Sequence, residues 1–512
     1  MKRKDSAQTS IDYDHDIVII GCGPTGATLA NLIAQSGANV LVIDKESTIY
    51  DLPRAVHFDD ETMRVFQSVG ISEELLGKVR VNPGMRFVDS DGSILLDWPR
   101  SAAIWRQGWH SSYRLHQPDL EFLLRGALAQ YANCTLRLGY ELLALEQSDT
   151  AVELTYRNKA NENTVHCKTK FVVGCDGANS SVRAAMHTKM EDLGFNERWL
   201  VLDVLLNQDM PELGDHTIQY CSAEQPMTYC RNPGLRRRWE MALSDSQSNE
   251  QVLDISTIWS SLSRWITPQE AKLERKAIYT FRSQLAHHWR DRRIFIAGDA
   301  AHLTPPFMGQ GMCAGIRDAS NLAWKLTMVL QSECADTLLD SYEQERRPHA
   351  REYITTAIAL GKLINSLERE SVRSITSEGD LSELQMASIA PSLGSTNIVA
   401  KPYRLRSHIG KLFDQIIMND GTRLDDRVGY RHVLISHAGT ASVDVKPASQ
   451  QELTLSVGDQ ELLSNLLDQW QVESVFIRPD RYILATSNDV HGSAELNWQS
   501  LLFSALPLAS DR

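Results

Sequence analysis

The chain has 512 residues, of which 42% are hydrophobic and 23% charged, and this composition is typical of a folded globular protein of roughly two to four domains. Because 52 Lys and Arg residues face 65 Asp and Glu residues, the formal net charge is −13, and we expect no nucleic-acid partner. No stretch approaches the roughly 20 apolar residues that span a bilayer, so the sequence predicts no membrane insertion.

The chain carries eight cysteines without a Cys-x-x-Cys spacing, and its basic first residues are not followed by an apolar stretch. Both features favour a reducing, cytoplasmic location. No spacing of His, Asp, Glu and Cys predicts a metal site.

The first predicted unit is a strand, a helix and a second strand. Residues 16–20 are a short apolar run that ends at a Gly-Cys-Gly-Pro-Thr-Gly sequence, residues 21–26. Apolar residues then recur at helical spacing, and a second apolar run ends at Asp44. Glycines at this turn let a helix N-terminus approach a pyrophosphate, and an acid in the place of Asp44 binds ribose hydroxyls. The pattern predicts a dinucleotide site; the alternative is a tight strand-to-helix turn.

Arg54 follows this unit, and its guanidinium is a candidate partner for a pyrophosphate or a nicotinamide cofactor. The alternative is a solvated surface side chain. Further along, turn signals and alternating strands over residues 89–238 predict an antiparallel sheet inserted into the α/β framework. Within it, the run of arginines at residues 236–238 is either a site for a substrate carboxylate or a solvated strand edge.

The framework returns at two apolar strand-like runs, residues 171–175 and 293–297, which end at Asp176-Gly177 and Gly298-Asp299. Helical patterns follow at about residues 311–330 and 338–364. The last segment has its own predicted strands (432–436, 474–477 and 482–485) and a helix near 461–470, which indicates a separate C-terminal domain.

Three motifs in this order resemble the flavin-dependent aromatic hydroxylases, the single-component monooxygenases typified by p-hydroxybenzoate hydroxylase. They are residues 21–26, residues 176–183 (Asp-Gly-Ala-Asn-Ser-Ser-Val-Arg), and residues 296–302 (Ile-Ala-Gly-Asp-Ala-Ala-His) with Pro305-Pro306 and Gly309-Gln310-Gly311. Residues 53–61, 85–87, 237–240 and 342–347 are similar, more narrowly, to 3-(3-hydroxyphenyl)propionate hydroxylases. Residues 476–482 resemble the end of the thioredoxin-like tail of larger members.

The resemblance implies an α/β fold (α+β overall): a Rossmann-like FAD-binding domain, an inserted antiparallel-sheet substrate domain and a thioredoxin-like C-terminal domain. We assign residues 13–88, 113–185 and 281–395 to the first, 89–112 and 186–280 to the second, and 400–512, which lacks redox cysteines, to the third. The implied activity is hydroxylation of a phenol, with 3-(3-hydroxyphenyl)propionate-type acids favoured, using FAD, NADH or NADPH and O₂ through a flavin C4a-hydroperoxide. A homodimer is possible in this group.

The resemblance also assigns roles to residues. Asp299 binds the ribityl chain, and the backbone of residues 309–312 stabilises the electron-rich edge of the flavin. The Pro306 carbonyl lies near the reacting part of the flavin, so Pro306 counts as catalytic as well as cofactor-binding. Gln117 either contacts FAD or begins a helix, and Asp176-Gly177 either contacts FAD and the nicotinamide or forms a strand-end turn. The predicted cofactor-binding residues are Gly21, Gly23, Pro24, Gly26, Asp44, Arg54, Gln117, Asp176, Gly177, Asp299, Pro306, Gly309, Gly311 and Met312.

His57 is the histidine proposed as catalytic, since imidazole titrates near neutral pH, whereas His116 and His302 are expected to be structural. Two other functions remain open. One is different flavin chemistry on the same fold, such as that of an oxidase, reductase or halogenase. The other is a non-catalytic FAD-binding scaffold.

Overall fold

The computed structural model describes residues 12–51, 54–89, 91–222, 225–366, 389–394, 408–436, 440–443 and 451–487. The strands in chain order are β1 (His15–Ile20), β2 (Val40–Asp44), β3 (His57–Asp59), β4 (Arg80–Val81), β5 (Gly84–Asp89), β6 (Ile94–Pro99), β7 (Ser112–Arg114), β8 (Cys134–Leu138), β9 (Tyr140–Gln147), β10 (Val152–Asn158), β11 (Thr164–Gly174), β12 (Met190–Leu206), β13 (Thr217–Cys221), β14 (Met227–Arg231), β15 (Arg236–Leu243), β16 (Ala271–Ala286), β17 (Arg290–Asp291), β18 (Ile294–Ile296), β19 (His302–Leu303), β20 (Val433–Ser436), β21 (Thr440–Val443), β22 (Gln451–Glu452), β23 (Ser474–Ile477) and β24 (Ile483–Thr486).

The helices in chain order are α1 (Pro24–Ala34), α2 (Asp60–Val69), α3 (Ser72–Leu76), α4 (Gln117–Leu128), α5 (Ser181–Ala185), α6 (Asn249–Val252), α7 (Ile255–Leu262), α8 (Gly311–Leu330), α9 (Asp340–Ser366), α10 (Leu424–Val428) and α11 (Val457–Trp470). Four 3₁₀ turns complete them: Pro211–Leu213, Gly298–Ala300, Pro306–Met308 and Asp336–Leu339. None of the described helices is both long and apolar enough to cross a membrane.

The first large sheet has the order β17-β18-β11-β1-β2-β8, and β1, β2, β8, β11 and β18 run parallel. The β-branched run of β1 is buried; α1 packs on β1 and β2, and α8 packs on α1. Parallel strands bring their carboxyl ends to one edge, so Gly21, Asp44, Asp176 and Gly298 meet there although they are far apart in the sequence. The predicted Rossmann-like framework is confirmed.

The second large sheet has the order β19-β16-β12-β15-β14-β13-β5-β6, antiparallel throughout except for the parallel pair β13 and β5. The predicted inserted sheet is therefore present. Its first strand begins at Gly84 and its last short strand is His302–Leu303, so the sheet extends beyond the segments 89–112 and 186–280 assigned to it. The division of the chain into domains remains a prediction.

The C-terminal unit contains a five-stranded sheet with the order β22-β21-β20-β23-β24. Strands β20, β23 and β24 and helix α11 lie close to the segments predicted from the sequence, whereas β21 and β22 were not predicted. All of its described strand pairs are antiparallel. The thioredoxin-like assignment is not confirmed and remains a prediction.

Buried ion pairs join the C-terminal unit to the first domain. Arg478 lies 2.8 Å from Glu345 of α9, and Asp425 lies 2.6 Å from Arg64 of α2 and 2.9 Å from Arg481. All five side chains belong to residues that are at most 5% exposed, and removing one member of such a pair leaves an uncompensated buried charge. We infer that the C-terminal unit packs firmly on α2 and α9.

Candidate active site

A cavity of about 950 Å³ lies between the carboxyl edge of the first sheet and one face of the second sheet. Its two sides differ in chemistry. We call the first side the glycine wall, which comprises Gly23, Pro24, Gly177, Asp299, Gly309, Gly311 and Met312. We call the second side the sheet wall, which comprises Met85, Trp98, Trp199, Thr217, Gln219, Thr228, Tyr279 and Phe281.

The turn after β1 depends on two glycines that lie behind the glycine wall. Gly21 has a φ of 100°, and a Cβ atom there would lie 2.4 Å from the Cys175 carbonyl oxygen. A Cβ atom on Gly26 would lie 2.0 Å from the Gly21 carbonyl oxygen. At Gly23 a Cβ atom would meet no atom within 4 Å, so this backbone faces open space in the cavity. The motif therefore combines close backbone packing with an accessible backbone.

Two helices begin at the glycine wall, and neither α1 nor α8 has a side-chain cap. By contrast, α2, α5, α6, α7 and α11 are each capped by an Asp or Ser side chain. The first-turn N–H groups of α1 and α8 therefore remain available to an anionic or electron-rich ligand. Gly309 allows the close approach to α8, because it adopts a φ of 63° that disfavours residues with a Cβ atom.

The three predicted acids have different environments. Asp44 accepts a hydrogen bond of 2.6 Å from the Cys22 N–H, so it orients the glycine turn. Asp299 is open to the cavity, whose walls shield it from bulk water, and this desolvation raises its pKa while His302 and Arg54 lower it. Asp176 accepts N–H bonds from the first turn of α5 and does not line the cavity. The Asp176 side chain therefore stabilises a turn at the end of the strand, which was the second alternative for this motif. Gly177 lines the cavity.

Arg54 and Gln117 meet at the cavity mouth. Gln117 accepts hydrogen bonds from the Arg54 and Ala55 N–H groups at 3.1 and 2.7 Å and donates one to Glu121. Its amide therefore holds the segment that presents Arg54. The Arg54 guanidinium lies 5.5 Å from the Tyr50 ring centre and lines the cavity, so it is available to a ligand there.

His57 links the loop before α8 to β7. Its Nδ1 atom lies 3.3 Å from the Gly309 carbonyl oxygen, and its Nε2 atom lies 2.8 Å from the Ser112 hydroxyl. Since a carbonyl can only accept, Nδ1 carries the proton and Nε2 accepts from Ser112. Burial and the nearby charges of Arg114 and Arg100 lower the pKa of His57 to about 3, so the ring is neutral at physiological pH. This geometry fits a positioning role, and the catalytic role of His57 remains a prediction.

Pro306 lies in the turn that leads to Gly309. Its carbonyl oxygen accepts a 2.8 Å hydrogen bond from the Gly309 N–H, and its ring lines the cavity. The turn therefore fixes the carbonyl in place, as the predicted role near the flavin requires.

The sheet wall supplies aromatic surface. Trp199 and Tyr279 face each other across β12 and β16, and the Phe307 ring packs edge-on against Trp199 at 5.8 Å. Tyr279 stacks on Phe281 at 6.2 Å. These rings provide apolar contact area for a planar ligand.

Further arginines line the cavity, among them Arg100, Arg114, Arg238 and Arg275. Two alternatives were predicted for Arg238, and no role was predicted for the other three. Arg238 and Arg275 both pair with Asp203, at 2.7 and 2.8 Å, and Arg238 also lies 3.5 Å from Glu240, so two carboxylates face these two charges. Arg100 and Arg114 line the cavity near His57 and were not predicted at all. No local motif marks them. Arg100 follows β6 and Arg114 ends β7, and these two strands come together only in the folded protein.

Most predicted site residues therefore meet in one place. Those that line the cavity are Gly23, Pro24, Arg54, His57, Gln117, Gly177, Asp299, Pro306, Gly309, Gly311 and Met312. Gly21, Gly26 and Asp44 support the glycine turn behind it.

Comparison with known proteins gives the family. Residues 14–357 match the family model described as FAD binding domain. The chain belongs to this family. The resemblance to flavin-dependent aromatic hydroxylases is thereby confirmed, with FAD as the cofactor. In the described residues, no group of three or more His, Cys, Asp and Glu is arranged to hold a metal ion.

Two relatives illustrate the similarity. The chain is 39% identical over 348 residues to "Probable NADH-specific resorcinol 4-hydroxylase" of Rhodococcus jostii (strain RHA1), a match that covers 68% of this chain and 65% of that protein. It is 28% identical over 522 residues to "3-(3-hydroxy-phenyl)propionate/3-hydroxycinnamic acid hydroxylase" of Shigella sonnei (strain Ss046), covering 94% and 93%. The fold also matches aklavinone-11 hydroxylase, solved with FAD and aklavinone, with a TM-score of 0.76, 18% identity, and coverage of 97% and 99%.

The glycine wall fits FAD. The uncapped N-terminus of α1 and the open backbone at Gly23 suit the pyrophosphate, and Asp299 faces the same space. The uncapped N-terminus of α8, with Gly311 and Met312 in the cavity wall, suits the electron-rich edge of the isoalloxazine.

Proposed function

We propose that this chain is an FAD-dependent monooxygenase that uses NADH or NADPH and O₂ to hydroxylate a phenolic ring. The observation that carries the proposal is one continuous cavity, in which a wall suited to FAD faces a wall of aromatic side chains. A volume of about 950 Å³ is at the upper end of the usual range for ligand pockets, which suits a large cofactor together with a small substrate.

When bound, FAD supplies hydride acceptance and the activation of O₂. The chain supplies the surroundings. The N-terminus of α8 is a fixed positive partner that stabilises negative charge without a side chain that could lose its proton. Phe307, Trp199 and Phe281 exclude water from the space beside it and hold an aromatic ring in place.

His57 holds the loop before α8 against β7. Its Nδ1 proton is donated to the Gly309 carbonyl, so the imidazole orients the turn rather than exchanging protons near neutral pH. Gln310 continues this support, because it donates to Asp59 at 3.1 Å and accepts from Arg317 at 2.9 Å. The edge of the flavin site therefore rests on a buried polar network.

The names of the relatives support a meta-substituted phenol as substrate and NADH as the reductant. One relative is named for resorcinol and NADH, and another for 3-(3-hydroxyphenyl)propionate and 3-hydroxycinnamate. We favour the acids of the second group, which matches this chain over nearly its whole length. A cytoplasmic location and a homodimer are further parts of the proposal.

The test is turnover of the purified, FAD-loaded protein with a panel of phenols under ¹⁸O₂. We expect a phenol to accelerate NADH oxidation at least about tenfold, as substrate gating in a monooxygenase requires, and one ¹⁸O atom to enter the ring. Rates with NADPH measured alongside identify the preferred reductant.

Two other outcomes would identify a different function. Peroxide without labelled product under all phenols identifies an oxidase and overturns the proposal. Protein that retains FAD but oxidises neither NADH nor NADPH with any phenol identifies a scaffold and overturns it as well.

A further inference from the structure

Two guanidinium groups meet at the end of the cavity nearest the sheet wall. Arg114 ends β7 and lies directly opposite His57 in the antiparallel pair of β3 and β7. Arg100 follows β6, and its backbone N–H donates to the Pro83 carbonyl, which places it at the start of the β5–β6 hairpin. The two charges act on the same surroundings. After burial, the charges of Arg114 and Arg100 are the next causes of the lowered pKa of His57, and the charge of Arg114 is the next cause of the lowered pKa of Arg100.

The two cations lack a counter-ion within the described part of the chain, where no carboxylate oxygen lies within 4 Å of either guanidinium. Arg114 donates only to the neutral Thr217 hydroxyl. The other buried arginines of this cavity, Arg238 and Arg275, share Asp203. Two positive charges that lie close together inside a protein are unfavourable without a compensating anion. This end of the cavity therefore carries positive charge that no described carboxylate compensates.

The carboxyl groups near this pair are engaged elsewhere or neutral. Glu240, which also lines the cavity, lies 3.5 Å from Arg238. Asp59 is committed to Arg317, with the two groups 2.5 Å apart. Burial, reinforced by the charges of Asp59 and Glu61, raises the pKa of Asp60 to about 8, so Asp60 is neutral at pH 7. His57 is neutral as well.

Unused hydrogen-bond donors surround the pair. In the described residues, Arg100 Nε and Nη1, Trp98 Nε1 and Gln219 Nε2 are buried and have no hydrogen-bond partner. All three side chains line the cavity, and the register of β6, β5 and β13 brings Trp98 and Thr217 to either side of Met85. Every one of these orphan atoms is a donor, so the ligand that satisfies them must present acceptor oxygens.

We propose that Arg100 and Arg114 form the receptor for a carboxylate group on the phenolic substrate, with Trp98 and Gln219 as additional donors. A planar guanidinium fork binds a planar carboxylate with two parallel hydrogen bonds, which gives orientation as well as affinity. The FAD pyrophosphate is accounted for elsewhere, because the uncapped N-terminus of α1 lies at the glycine wall and the Arg54 guanidinium also lines the cavity. The inference rests on the proposed function, and it selects carboxylated phenols over resorcinol-like ones.

The test measures ligand binding to the FAD-loaded protein by perturbation of the flavin spectrum, so it does not depend on turnover. The probes are 3-(3-hydroxyphenyl)propionate and its neutral amide, which has nearly the same shape. We expect the wild type to bind the acid at least about tenfold more tightly than the amide, as charge-assisted hydrogen bonds to buried arginines predict. In Arg100→Met and Arg114→Met this ratio falls to within about threefold, through weaker binding of the acid alone.

The controls separate this effect from a general loss of charge or folding. Arg86→Met removes an exposed arginine of the neighbouring strand β5, which pairs with Asp97, and we expect it to keep the wild-type ratio. Arg100→Lys retains the charge without the fork and recovers part of the preference for the acid. If Arg100→Met or Arg114→Met fails to retain FAD, Gln219→Leu tests the same site with a neutral change, and we expect a smaller loss for the acid only.

Three outcomes overturn the inference. The wild type binds acid and amide equally; or Arg100→Met weakens both ligands to the same extent; or it raises the KM for NADH while leaving binding of the acid unchanged, which reassigns the pair to the nucleotide. Failure of the proposed function is distinguishable, because it leaves acid selectivity in binding intact while no phenol accelerates NADH oxidation.

Discussion

The two walls of the cavity recognise their ligands by different means. The glycine wall presents backbone N–H groups at the starts of α1 and α8, held by glycines whose missing side chains allow close approach. The sheet wall presents side chains, among them Trp98, Thr217 and Gln219, which come from β6 and β13 on either side of β5. Backbone recognition requires a fixed local sequence, whereas side-chain recognition requires only a fixed register.

This difference separates what the family shares from what an individual member selects. A substitution at a glycine on or behind the glycine wall forces neighbouring atoms to move. A Cβ atom added to Gly21, Gly26 or Gly309 would lie within 3 Å of a neighbouring atom. A change on the sheet wall alters one donor or one ring and leaves the backbone ladder in place. Mutations on the two walls should therefore differ in kind, the first affecting folding and FAD retention and the second affecting ligand choice.

The largest effect is expected for Gly26→Ala. The new methyl group would lie 2.0 Å from the Gly21 carbonyl oxygen, and neither backbone segment can move without opening the strand-to-helix turn. We expect destabilisation by more than about 3 kcal/mol and loss of bound FAD. Thermal unfolding and the flavin absorbance of the purified protein measure both.

The matched control is Gly126→Ala, another glycine inside a helix, where the methyl group meets no atom within 4 Å. This change should stabilise the protein by about 0.5–1 kcal/mol, since alanine restricts the unfolded chain. If Gly26→Ala keeps its FAD and unfolds at the wild-type temperature, the backbone account of the glycine wall is wrong.

The next effect concerns the network that supports the glycine wall from behind. Asp59 caps α2 through the Thr62 N–H and pairs with Arg317, which also holds Gln310 at the start of α8. Asp59→Asn leaves the buried Arg317 with less compensation, and we expect a loss of about 3 kcal/mol of unfolding free energy together with weaker FAD retention. Chemical denaturation and FAD titration of the apoprotein provide the measurements.

Asp254→Asn is the control for this prediction, because Asp254 also caps a helix, α7, but is exposed and has no arginine partner in the described residues. Asn is an equally good cap, so this variant should behave as the wild type. Equal behaviour of the Asp59 and Asp254 variants would contradict a supporting role for the buried pair.

The same contrast explains what could be predicted from the sequence. The glycine wall was predictable because Gly21, Asp44 and Gly298 mark strand ends within contiguous motifs, and parallel strands bring such ends together. Strands β20, β23 and β24 of the C-terminal unit were also predicted, since each is a short apolar run, whereas β21 and β22 were not. Its thioredoxin-like topology rests on resemblance alone, because apolar runs do not specify strand order.

The sheet wall could not be predicted, for a physical reason. Arg100 and Arg114 become neighbours only because the β5–β6 hairpin meets β7, and nothing local to either residue indicates this. The arginine run at 236–238 shows the same limit. A solvated strand edge was one alternative for it, but β15 is a central strand between β12 and β14, where Arg237 pairs with Asp209 and Arg238 with Asp203.

The smallest predicted effect concerns His57, which supports the glycine wall at Gly309. Its pKa is lowered to about 3 in the folded protein, against about 6.5 in an unfolded chain, so between these values the unfolded state binds the extra proton. Folding stability attributable to this buried, neutral ring is complete above about pH 6.5 and falls as the pH is lowered, by about 2 kcal/mol between pH 7 and pH 5. His57→Gln should remove that part of the acid sensitivity, measured as the difference in unfolding free energy at the two pH values. Ser112→Ala loses the hydroxyl partner at 2.8 Å but keeps the buried imidazole, so it should be less stable at both pH values and retain the wild-type pH dependence. If His57→Gln is as acid-sensitive as the wild type, His57 is not a neutral link between Gly309 and β7, and the catalytic role predicted for it from the sequence regains support.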